Sequence, residues 1–383
     1  MEKNRKVRIL IFIDWFLPGH KSGGPVRSVA NMVEHLSDEF DFYIVTRNSD
    51  YLDNIPYNNV ISNNWTDFSK NVKIYYTTKN KLSLKLWRKL IREKYPDVIY
   101  INGVYSKYFS IFPIIAAKKE KKAKIIIATR GMLAQSAIKI KNRKKKLFLL
   151  CAIFLRLYEK IEFHATNYKE KEDIYKTLRF NGKINIAANL PRKAILFKKD
   201  IIKTSKILRL IIVSRIAPEK NTLFALCCLK NIEKEIKIEV DIYGQIYDEK
   251  YWQKCIKITE QLPENVVIKY FKSVLSEKVV ETIEKYHALF LPTLGENFGH
   301  IILESFMAAR PVIISDQTPW TNLQKKNAGW DLPLIENKFV EVIKFLSEME
   351  QSDYDKLSNG AFNLAKEYLD DKKLIEKYRK MFL

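Results

Sequence analysis

The sequence is poor in the residues that bind transition metals and form disulfide bridges. Its 383 residues include four cysteines and five histidines, which form no zinc-ligand spacing, no HxxxH pattern and no His/Cys cluster. Adjacent cysteines rarely pair with each other, so the cysteines indicate reduced core thiols in a cytosolic protein. They are Cys151, Cys227, Cys228 and Cys255.

A long apolar run is also missing. No stretch reaches the ~18–20 apolar residues that a membrane-spanning helix needs. The segment MEKNRKVRILIFIDWFLPGH imitates a signal peptide through its basic start and short apolar run. However, Asp14 interrupts that run and no small-residue cleavage site follows. We therefore expect a buried first strand and a cytoplasmic protein.

Apolar residues and positive charge are abundant instead. Apolar residues make up 47% of the chain and aromatic residues 12%, which disfavours disorder, and the length suits two domains. The formal net charge of +23 suggests nucleic acid, an anionic membrane surface or phosphorylated substrates as partners. Compositional drift in an AT-rich genome is an alternative cause, because Lys, Ile and Asn are abundant together. No helix-turn-helix, RRM or zinc-finger pattern appears, so we expect no nucleic-acid partner.

Strand and helix patterns alternate along the chain. VRILIFI is a continuous apolar run, typical of a strand buried on both faces of a parallel sheet, and a βαβ rhythm follows it. The rhythm breaks at 186–206 and restarts at RLIIVSRI. We predict an α/β protein with two Rossmann-like doubly wound domains facing each other across a cleft, at 1–190 and 206–365. A C-terminal helix at 366–383 is expected to pack back on the N-terminal domain.

The first candidate site is HKSGGPVRS, residues 20–28, directly after the first strand. Gly23 and Gly24 remove side chains where a backbone approaches a ligand closely, and the helix behind them offers N–H groups to an anion such as phosphate. The stretch is not GxGxxG, and no acidic residue ends the second strand, so dinucleotide binding is disfavoured. The alternative is a plain tight turn.

The second candidate site is SRIAPEKN, residues 214–221, after the first strand of the second domain. Arg215 and Lys220 flank a proline that forces a turn. Two fixed cations at the edge of a parallel sheet suit a diphosphate and stabilise it as a leaving group. The alternative is a pair of solvated loop charges.

The third candidate site is ENFGHIILE, residues 296–304. Glu296 stands before a predicted helix that begins near Gly299, and Glu304 lies about one turn inside it. We expect the unpaired N–H groups of 297–301 to bind an anion such as a phosphate. Each of the two carboxylates would then accept hydrogen bonds from hydroxyls on either side of that anion. A nucleotide sugar has that layout. The alternative is a helix N-cap acid and a surface glutamate.

Together the three sites resemble retaining glycosyltransferases of the GT-B fold, family 4 (group 1), over almost the whole chain. FGHIILESFMAARPVI after FLPTLGEN is similar to the Glu-x7-Glu signature, SGGPVRSV resembles the diphosphate loop and SRIAPEKN resembles the Arg–Lys phosphate pair. RGML, FHAT, SDQTPW and AGW resemble a bacterial subgroup that assembles lipopolysaccharide, capsule or exopolysaccharide chains.

The resemblance implies a role for each matched residue. Glu296 would bind donor-sugar hydroxyls and Glu304 the nucleotide ribose. Arg215 and Lys220 would hold the diphosphate with the Gly24 amide. At the position of Arg130, many relatives have a histidine that touches the donor sugar. At the position of Asn102, many relatives also have a histidine. The sugar and the phosphate would be lined by the backbone amides of Asn297, Phe298, Gly299 and His300. Gly244 and the YFKSV turn would approach the base.

The implied reaction moves a sugar from a UDP- or GDP-sugar to a glycan or lipid-linked acceptor, with retention at the anomeric carbon. Double displacement needs a nucleophilic carboxylate, and none can be assigned. The alternative is front-face attack, in which the departing phosphate takes the acceptor proton. No DxD motif ends a strand, so we expect no metal and no other cofactor. Other possibilities are a different GT-B enzyme, such as a nucleotide-sugar epimerase, and a non-catalytic membrane-associated scaffold.

One segment suggests a membrane contact. In KIKNRKKKLFLLCAIFLRLYEK, residues 139–160, a basic run at 139–146 precedes apolar residues that are too few to span a bilayer. The segment suits an anionic inner leaflet, on the cytoplasmic face, where a lipid-linked acceptor resides. The alternative is a core helix after a basic loop.

Overall fold

The computed structural model describes residues 5–120, 123–134, 137–138, 142–193, 196 and 198–383. The chain divides into two compact units. The N-terminal unit comprises Met1–Lys193 and Asp371–Leu383, and the C-terminal unit comprises Ala194–Asp370. Part of the predicted linker at 186–206 lies outside the described residues, namely 194–195 and 197.

The N-terminal unit is built on an eight-stranded sheet in the order β3-β4-β2-β1-β5-β6-β7-β8. All neighbours are parallel except β3 and β4. Its strands are β1 (Arg8–Phe12), β2 (Asp41–Arg47), β3 (Trp65–Ser69), β4 (Val72–Thr77), β5 (Val98–Asn102), β6 (Lys124–Ala128), β7 (Glu162–Ala165) and β8 (Ile184–Ile186). Its helices are α1 (Gly24–Leu36), α2 (Leu84–Lys94), α3 (Phe112–Glu120), α4 (Asn142–Phe154) and α5 (Tyr168–Leu178).

The C-terminal unit is built on a six-stranded parallel sheet in the order β11-β10-β9-β12-β13-β14. Its strands are β9 (Ile207–Val213), β10 (Lys237–Tyr243), β11 (Val266–Phe271), β12 (Ala288–Leu291), β13 (Val312–Ser315) and β14 (Gly329–Leu332). Its helices are α6 (Thr222–Cys227), α7 (Glu249–Thr259), α8 (Val279–Ile283), α9 (His300–Met307), α10 (Glu336–Glu348) and α11 (Gln351–Asp370). The last helix, α12 (Lys372–Phe382), belongs to the N-terminal unit.

Both sheets are covered on their two faces, which explains the continuous apolar runs of their central strands. In β1, Ile9 to Phe12 are fully buried. In β9, Leu210 and Ile212 contribute to one core layer and Ile211 to the other. The predicted α/β class with two Rossmann-like doubly wound sheets is confirmed.

Helix α12 packs within the N-terminal unit through its aromatic side chains. The ring of Phe382 lies 5.7 Å from Phe40 and 5.9 Å from Tyr100, and Tyr378 lies 5.3 Å from the ring of His164. Arg379 pairs with Glu39 at 2.5 Å. Residues far apart in sequence therefore complete the core around β5 and β7.

The expectation that all cysteines are core thiols is wrong for two of them. Cys228 and Cys255 are buried, and burial raises the pKa of Cys255 to about 12. Cys151 is exposed on α4 and Cys227 is partly exposed. All four are free thiols. Within the described ranges, no helix combines the length and apolar character that crossing a membrane requires.

Candidate active site at the switch point of the C-terminal unit

The C-terminal sheet changes direction between β9 and β12. From β9 the chain proceeds to β10 and β11 on one side, and β12 to β14 continue on the other. Ligands of doubly wound sheets bind at such a switch point, outside the carboxyl ends of the strands. The loops that leave β9 and β12 there are 214–221 and 292–299, which contain two of the sequence-predicted motifs.

Hydrogen bonds join these two loops to each other. The Thr293 hydroxyl and the Leu294 amide both donate to the Glu219 carbonyl at 3.0 Å. The Asn221 side chain donates to the Pro292 carbonyl at 3.0 Å. The two motifs, over seventy residues apart, thus form one local structure and their side chains are held in fixed proximity.

Lys220 and Glu296 form an ion pair in which the Lys220 Nζ donates to Glu296 Oε1. Their side chains are only 15% and 14% exposed, so the alternative of solvated loop charges is wrong for Lys220. Arg215 is 39% exposed, pairs with Glu219 at 3.4 Å and lies over the Tyr247 ring at 5.0 Å. The site therefore contains a held cation and a second cation that is open to solvent.

Helix α9 begins beside this pair. Gly299 is its N-cap residue, with φ of +77°, a left-handed conformation that favours glycine. A Cβ there would also lie 2.8 Å from the Ile302 side chain. The first turn of any helix leaves N–H groups without helical partners, and its dipole favours an anion. The predicted helix start near Gly299 is confirmed by these bounds.

The loop before α9 is supported from the other side by the SDQTPW segment. The Trp320 indole N–H donates to the Phe298 carbonyl at 2.6 Å, and its ring packs 5.6 Å from Phe298. The Glu296 amide donates to the Gln317 carbonyl at 3.0 Å. The His300 ring lies 4.8 Å from the Phe298 ring. These contacts fix the backbone of 296–300, to which Asn297 also belongs.

Glu304 lies one turn into α9 and is 6% exposed. The alternative of a surface glutamate is therefore wrong. A buried carboxylate is costly unless hydrogen-bond donors or cations satisfy it. Its contact with a ribose stays a prediction.

Position 244 requires glycine for a structural reason that the sequence did not reveal. A Cβ at this position would lie 1.7 Å from the Ser214 carbonyl oxygen, so the end of β10 must approach the end of β9 without a side chain. Next to it, the rings of Tyr243 and Phe271 stack at 4.7 Å with an angle of 11°. The Tyr270 hydroxyl donates to the Gly244 carbonyl at 2.9 Å. A role of this edge toward a nucleotide base stays a prediction.

In the N-terminal unit, Gly23 is the N-cap residue of α1 and Gly24 its first residue. Gly23 has φ of +75°, and a Cβ there would have no atom within 4 Å. The backbone conformation therefore explains Gly23, and the space beside it is open. Helix α1 has thirteen residues and offers its N-terminal dipole at this point.

Arg130 has a left-handed backbone, with φ of +52°, and its guanidinium holds three side chains of the N-terminal unit. Its Nε donates to Asn102 at 2.8 Å, Nη1 to Asn189 at 2.6 Å and Nη2 to the Tyr100 hydroxyl at 2.9 Å. The contact of Arg130 with a donor sugar stays a prediction.

Glu170 is a residue that the sequence analysis missed. It is 2% exposed and accepts hydrogen bonds from the Thr129 hydroxyl (2.5 Å), the Gly131 amide (2.6 Å) and the Thr166 amide and hydroxyl (2.7 and 2.8 Å). Burial alone would raise the pKa of Glu170, but these hydrogen bonds outweigh it and lower the pKa. Glu170 thereby fixes the turn that carries Arg130.

A sequence signal for Glu170 exists. Asn167 caps α5 by accepting from the Glu170 amide at 2.8 Å, so the NYKE stretch follows the spacing of a capping box.

The RGML and FHAT motifs meet at this network. His164 in FHAT bonds the Tyr100 hydroxyl at 2.7 Å and the Ala187 carbonyl at 2.8 Å. Burial, with the nearby Arg130 charge, lowers the pKa of His164 to about 4.

Among the described residues, no group of three or more His, Cys, Asp or Glu side chains could hold a metal ion. The basic run at 139–146 is described only in part, because 139–141 lie outside the described residues. Its remaining part belongs to α4.

Comparison with solved structures places the fold in the GT-B class. Sucrose-phosphate synthase from Thermosynechococcus elongatus has a TM-score of 0.72 at 12% identity, with 99% of each chain covered. Alr3699/HepE from Anabaena in complex with UDP-glucose has a TM-score of 0.68 at 13% identity, with 98% of each chain covered. WaaG, a glycosyltransferase involved in lipopolysaccharide biosynthesis, has a TM-score of 0.66 at 14% identity, with 98% of each chain covered.

A family model points to the particular group. The model described as Glycosyl transferases group 1 matches residues 192–354. This segment contains Arg215, Lys220, Glu296 and Glu304, and it corresponds to most of the C-terminal unit. No curated protein matches the chain.

Proposed function

We propose that the chain is a retaining glycosyltransferase of family 4 that uses a UDP- or GDP-sugar as donor. The observation that carries the proposal is the Lys220–Glu296 pair beside the first turn of α9, at the switch point of the C-terminal sheet. A cation, a carboxylate and helix N–H groups suit a diphosphate with a sugar attached to it. The match of Glycosyl transferases group 1 to this segment and the UDP-glucose complex of HepE support the same chemistry.

In this proposal, the donor diphosphate replaces Glu296 as the partner of Lys220. Glu296 is then released to accept hydrogen bonds from the sugar hydroxyls. Arg215, with its more exposed side chain, adds a second cation. Both cations and the α9 dipole stabilise the charge that develops on the departing diphosphate oxygen. Glu304 binds the ribose, and the backbone of 297–300 completes the donor site.

Retention is proposed to follow front-face attack. The acceptor oxygen forms a bond to the anomeric carbon on the face from which the diphosphate departs, and the bond to the diphosphate oxygen breaks. The acceptor proton passes to that departing oxygen. This route needs no nucleophilic carboxylate. The proposal includes no metal ion.

The donor site is tested with paired variants. Glu296→Ala and Lys220→Ala should each abolish transfer from the UDP- or GDP-sugar that most raises the thermal stability of the wild-type chain. Lys257→Ala and Glu260→Ala, both exposed in the same unit, are the matched controls and should transfer normally. Wild-type turnover in either site variant would refute the site assignment. No stabilisation by any UDP- or GDP-sugar would refute the proposed donor class. The anomeric configuration of the product, read by NMR, tests retention.

We also propose that α4 places the enzyme on the cytoplasmic face of an anionic membrane, where a lipid-linked glycan serves as acceptor in bacterial surface-polysaccharide synthesis. Four side chains at helical spacing form its outer face, with Leu147 64%, Leu150 65% and Phe154 86% exposed and Cys151 between them. Leu149 and Ala152 on the opposite face are buried. One side of α4 thus packs into the core of the N-terminal unit, and its other side is apolar and exposed.

The positive charges at the start of α4 favour an anionic lipid surface as the partner of this apolar face. Arg143, Lys144 and Lys146 are exposed in the first turns of α4, and the chain has no Asp or Glu between Glu120 and Glu159. Each such cation contributes about 1 kcal/mol at an anionic surface, so these three together favour it roughly 100-fold. The apolar face would enter the interface without spanning it.

Vesicle sedimentation tests this surface. The wild type should bind vesicles of phosphatidylcholine with phosphatidylglycerol and should not bind phosphatidylcholine alone. Leu150→Gln with Phe154→Gln should weaken binding, whereas Ile335→Gln with Phe345→Gln, which are exposed in the C-terminal unit, should not. Equal binding by both double variants would show that α4 is not the membrane-binding surface.

A further inference from the structure

One sheet edge of the C-terminal unit lacks the usual protection. In the described part of the chain, the two sheets end at β3, β8, β11 and β14. Proteins protect such edges with short strands, bulges or charged residues, because the unpaired backbone groups otherwise pair with another chain. β8 and β14 have three and four residues, and the register of β3 shifts between Asp67 and Ser69. β11 has six residues, all in regular register with β10.

The open edge of β11 presents the backbone groups of alternate residues. The Asn265 carbonyl accepts from the Ile238 amide at 2.9 Å, so the odd-numbered residues of this strand bond to β10. Successive residues of a strand direct their N–H and C=O groups to opposite sides. The N–H and C=O groups of Ile268 and Tyr270 therefore point away from β10, and so does the Val266 carbonyl. The Val266 amide is used in the turn before the strand.

Apolar side chains accompany these backbone groups. Val267, Tyr270 and Phe271 are all exposed. The Tyr270 ring lies 4.9 Å from that of Trp252, and the Phe271 ring stacks on Tyr243, so contacts within the unit hold both in place. A strand that adds to this edge would gain main-chain hydrogen bonds and apolar contacts together.

The charge of the two units favours a second copy of the chain as that strand. The N-terminal unit has 43 Lys and Arg against 19 Asp and Glu, whereas the C-terminal unit has 24 against 25. Two N-terminal units therefore repel each other, and two C-terminal units do not. The nearly neutral unit also exerts little attraction on a strongly charged partner. A contact between two copies is thus expected at the C-terminal unit.

The backbone of β11 is complementary to itself in an antiparallel arrangement. When the two Ile268 residues stand opposite each other, they exchange both of their backbone hydrogen bonds. Each Tyr270 amide then donates to the Val266 carbonyl of the other copy. A register centred on Lys269 would instead place two ammonium groups opposite each other, which is unfavourable. The arrangement around Ile268 therefore suits the strand better.

The side chains agree with the same register. Val267 faces Lys269 of the other copy, so an apolar side chain packs against an aliphatic stem. Glu264, in the turn before β11, comes near Lys272 of the other copy, and both side chains are exposed. Opposite charges therefore meet at each end of the paired strands.

We propose that the chain forms a homodimer in which β11 pairs antiparallel with β11 of a second copy, the two Ile268 residues standing opposite each other. The pairing joins two six-stranded sheets into one continuous sheet and covers the open edge. It concerns the C-terminal unit alone and does not depend on the proposed transfer reaction.

Sedimentation velocity on the full chain, over about 1–100 μM, tests the dimer. The wild type should dimerise reversibly in this range. Val267→Lys should raise the dimer dissociation constant about tenfold or more, because it places a like charge opposite Lys269 twice in the pairing. Val267→Lys with Lys269→Glu should restore dimerisation, since opposite charges then face each other. Ile335→Lys, at an exposed apolar residue of the same unit, is the matched control and should dimerise as the wild type does.

Circular-dichroism melts should be alike for these variants, because positions 267 and 269 are exposed. A wild type that stays monomeric throughout the range would overturn the proposal, and that is also the result expected if a different partner occupies the edge. If Val267→Lys dimerised as tightly as the wild type, the contact would lie on another surface and the proposal would be wrong. A double variant that remained as weak as Val267→Lys would overturn the register.

Discussion

Replacing Glu170 with Gln removes a buried charge on which the turn at 129–131 depends. The carboxylate accepts hydrogen bonds from Thr129, Gly131 and Thr166, two of them from backbone amides. A Gln amide group can accept through only one oxygen, and its NH2 would face a donor. Leaving buried donors unpaired in place of charge-assisted bonds should destabilise the N-terminal unit by about 3–5 kcal/mol.

The loss is measurable by calorimetry. For a unit of this size, 3–5 kcal/mol corresponds to a melting temperature lower by about 10 °C. Glu172→Gln is the matched control, because Glu172 is on the same helix, is 65% exposed and pairs only at the surface with Lys176. Hydrogen exchange should become faster in 124–134 and 162–178 in the Glu170 variant alone. Equal melting temperatures and equal exchange in the two variants would refute the role given to Glu170.

Two further predictions concern the described contacts. Gly244→Ala should prevent the C-terminal unit from folding normally, because its Cβ would lie 1.7 Å from the Ser214 carbonyl, and a circular-dichroism melt like that of the wild type would contradict this packing. Stability should fall as the pH decreases from 6.5 toward 4, since burial lowers the pKa of both His164 and His287 to about 4 and only the unfolded chain takes up protons in that window. Each histidine should contribute about 2 kcal/mol of that loss at pH 5, measured by urea unfolding; a flat profile would exclude it.

Sequence patterns were sufficient for elements whose signals are local. Continuous apolar runs such as that of β1 predict buried parallel strands, because both faces of the sheet are covered. The start of α9 near Gly299 followed from the strand–turn–helix pattern around ENFGHIILE. These predictions needed only neighbours in the sequence.

The rest depended on contacts between distant segments. The sequence assigned Lys220 and Glu296 to different parts of a ligand, and only the hydrogen-bonded loops bring them into one ion pair. The burial of Glu304 reflects how α9 packs, which one helix cannot reveal by itself. Gly244 is explained by the Ser214 carbonyl on another strand. Glu170 carries a local capping signal, but its function as an acceptor for the 129–131 turn is tertiary.

Helix α12 has a consequence for the order in which the protein matures on the ribosome. Domains usually fold as units during synthesis, from the N-terminus onward. Here the core around Tyr100 and His164 includes Tyr378 and Phe382, which are made after the whole C-terminal unit. The first sheet must therefore wait, with part of its apolar surface uncovered, while nearly two hundred further residues are translated. During that interval the nascent chain is a natural client for chaperones, although its second domain can already be complete.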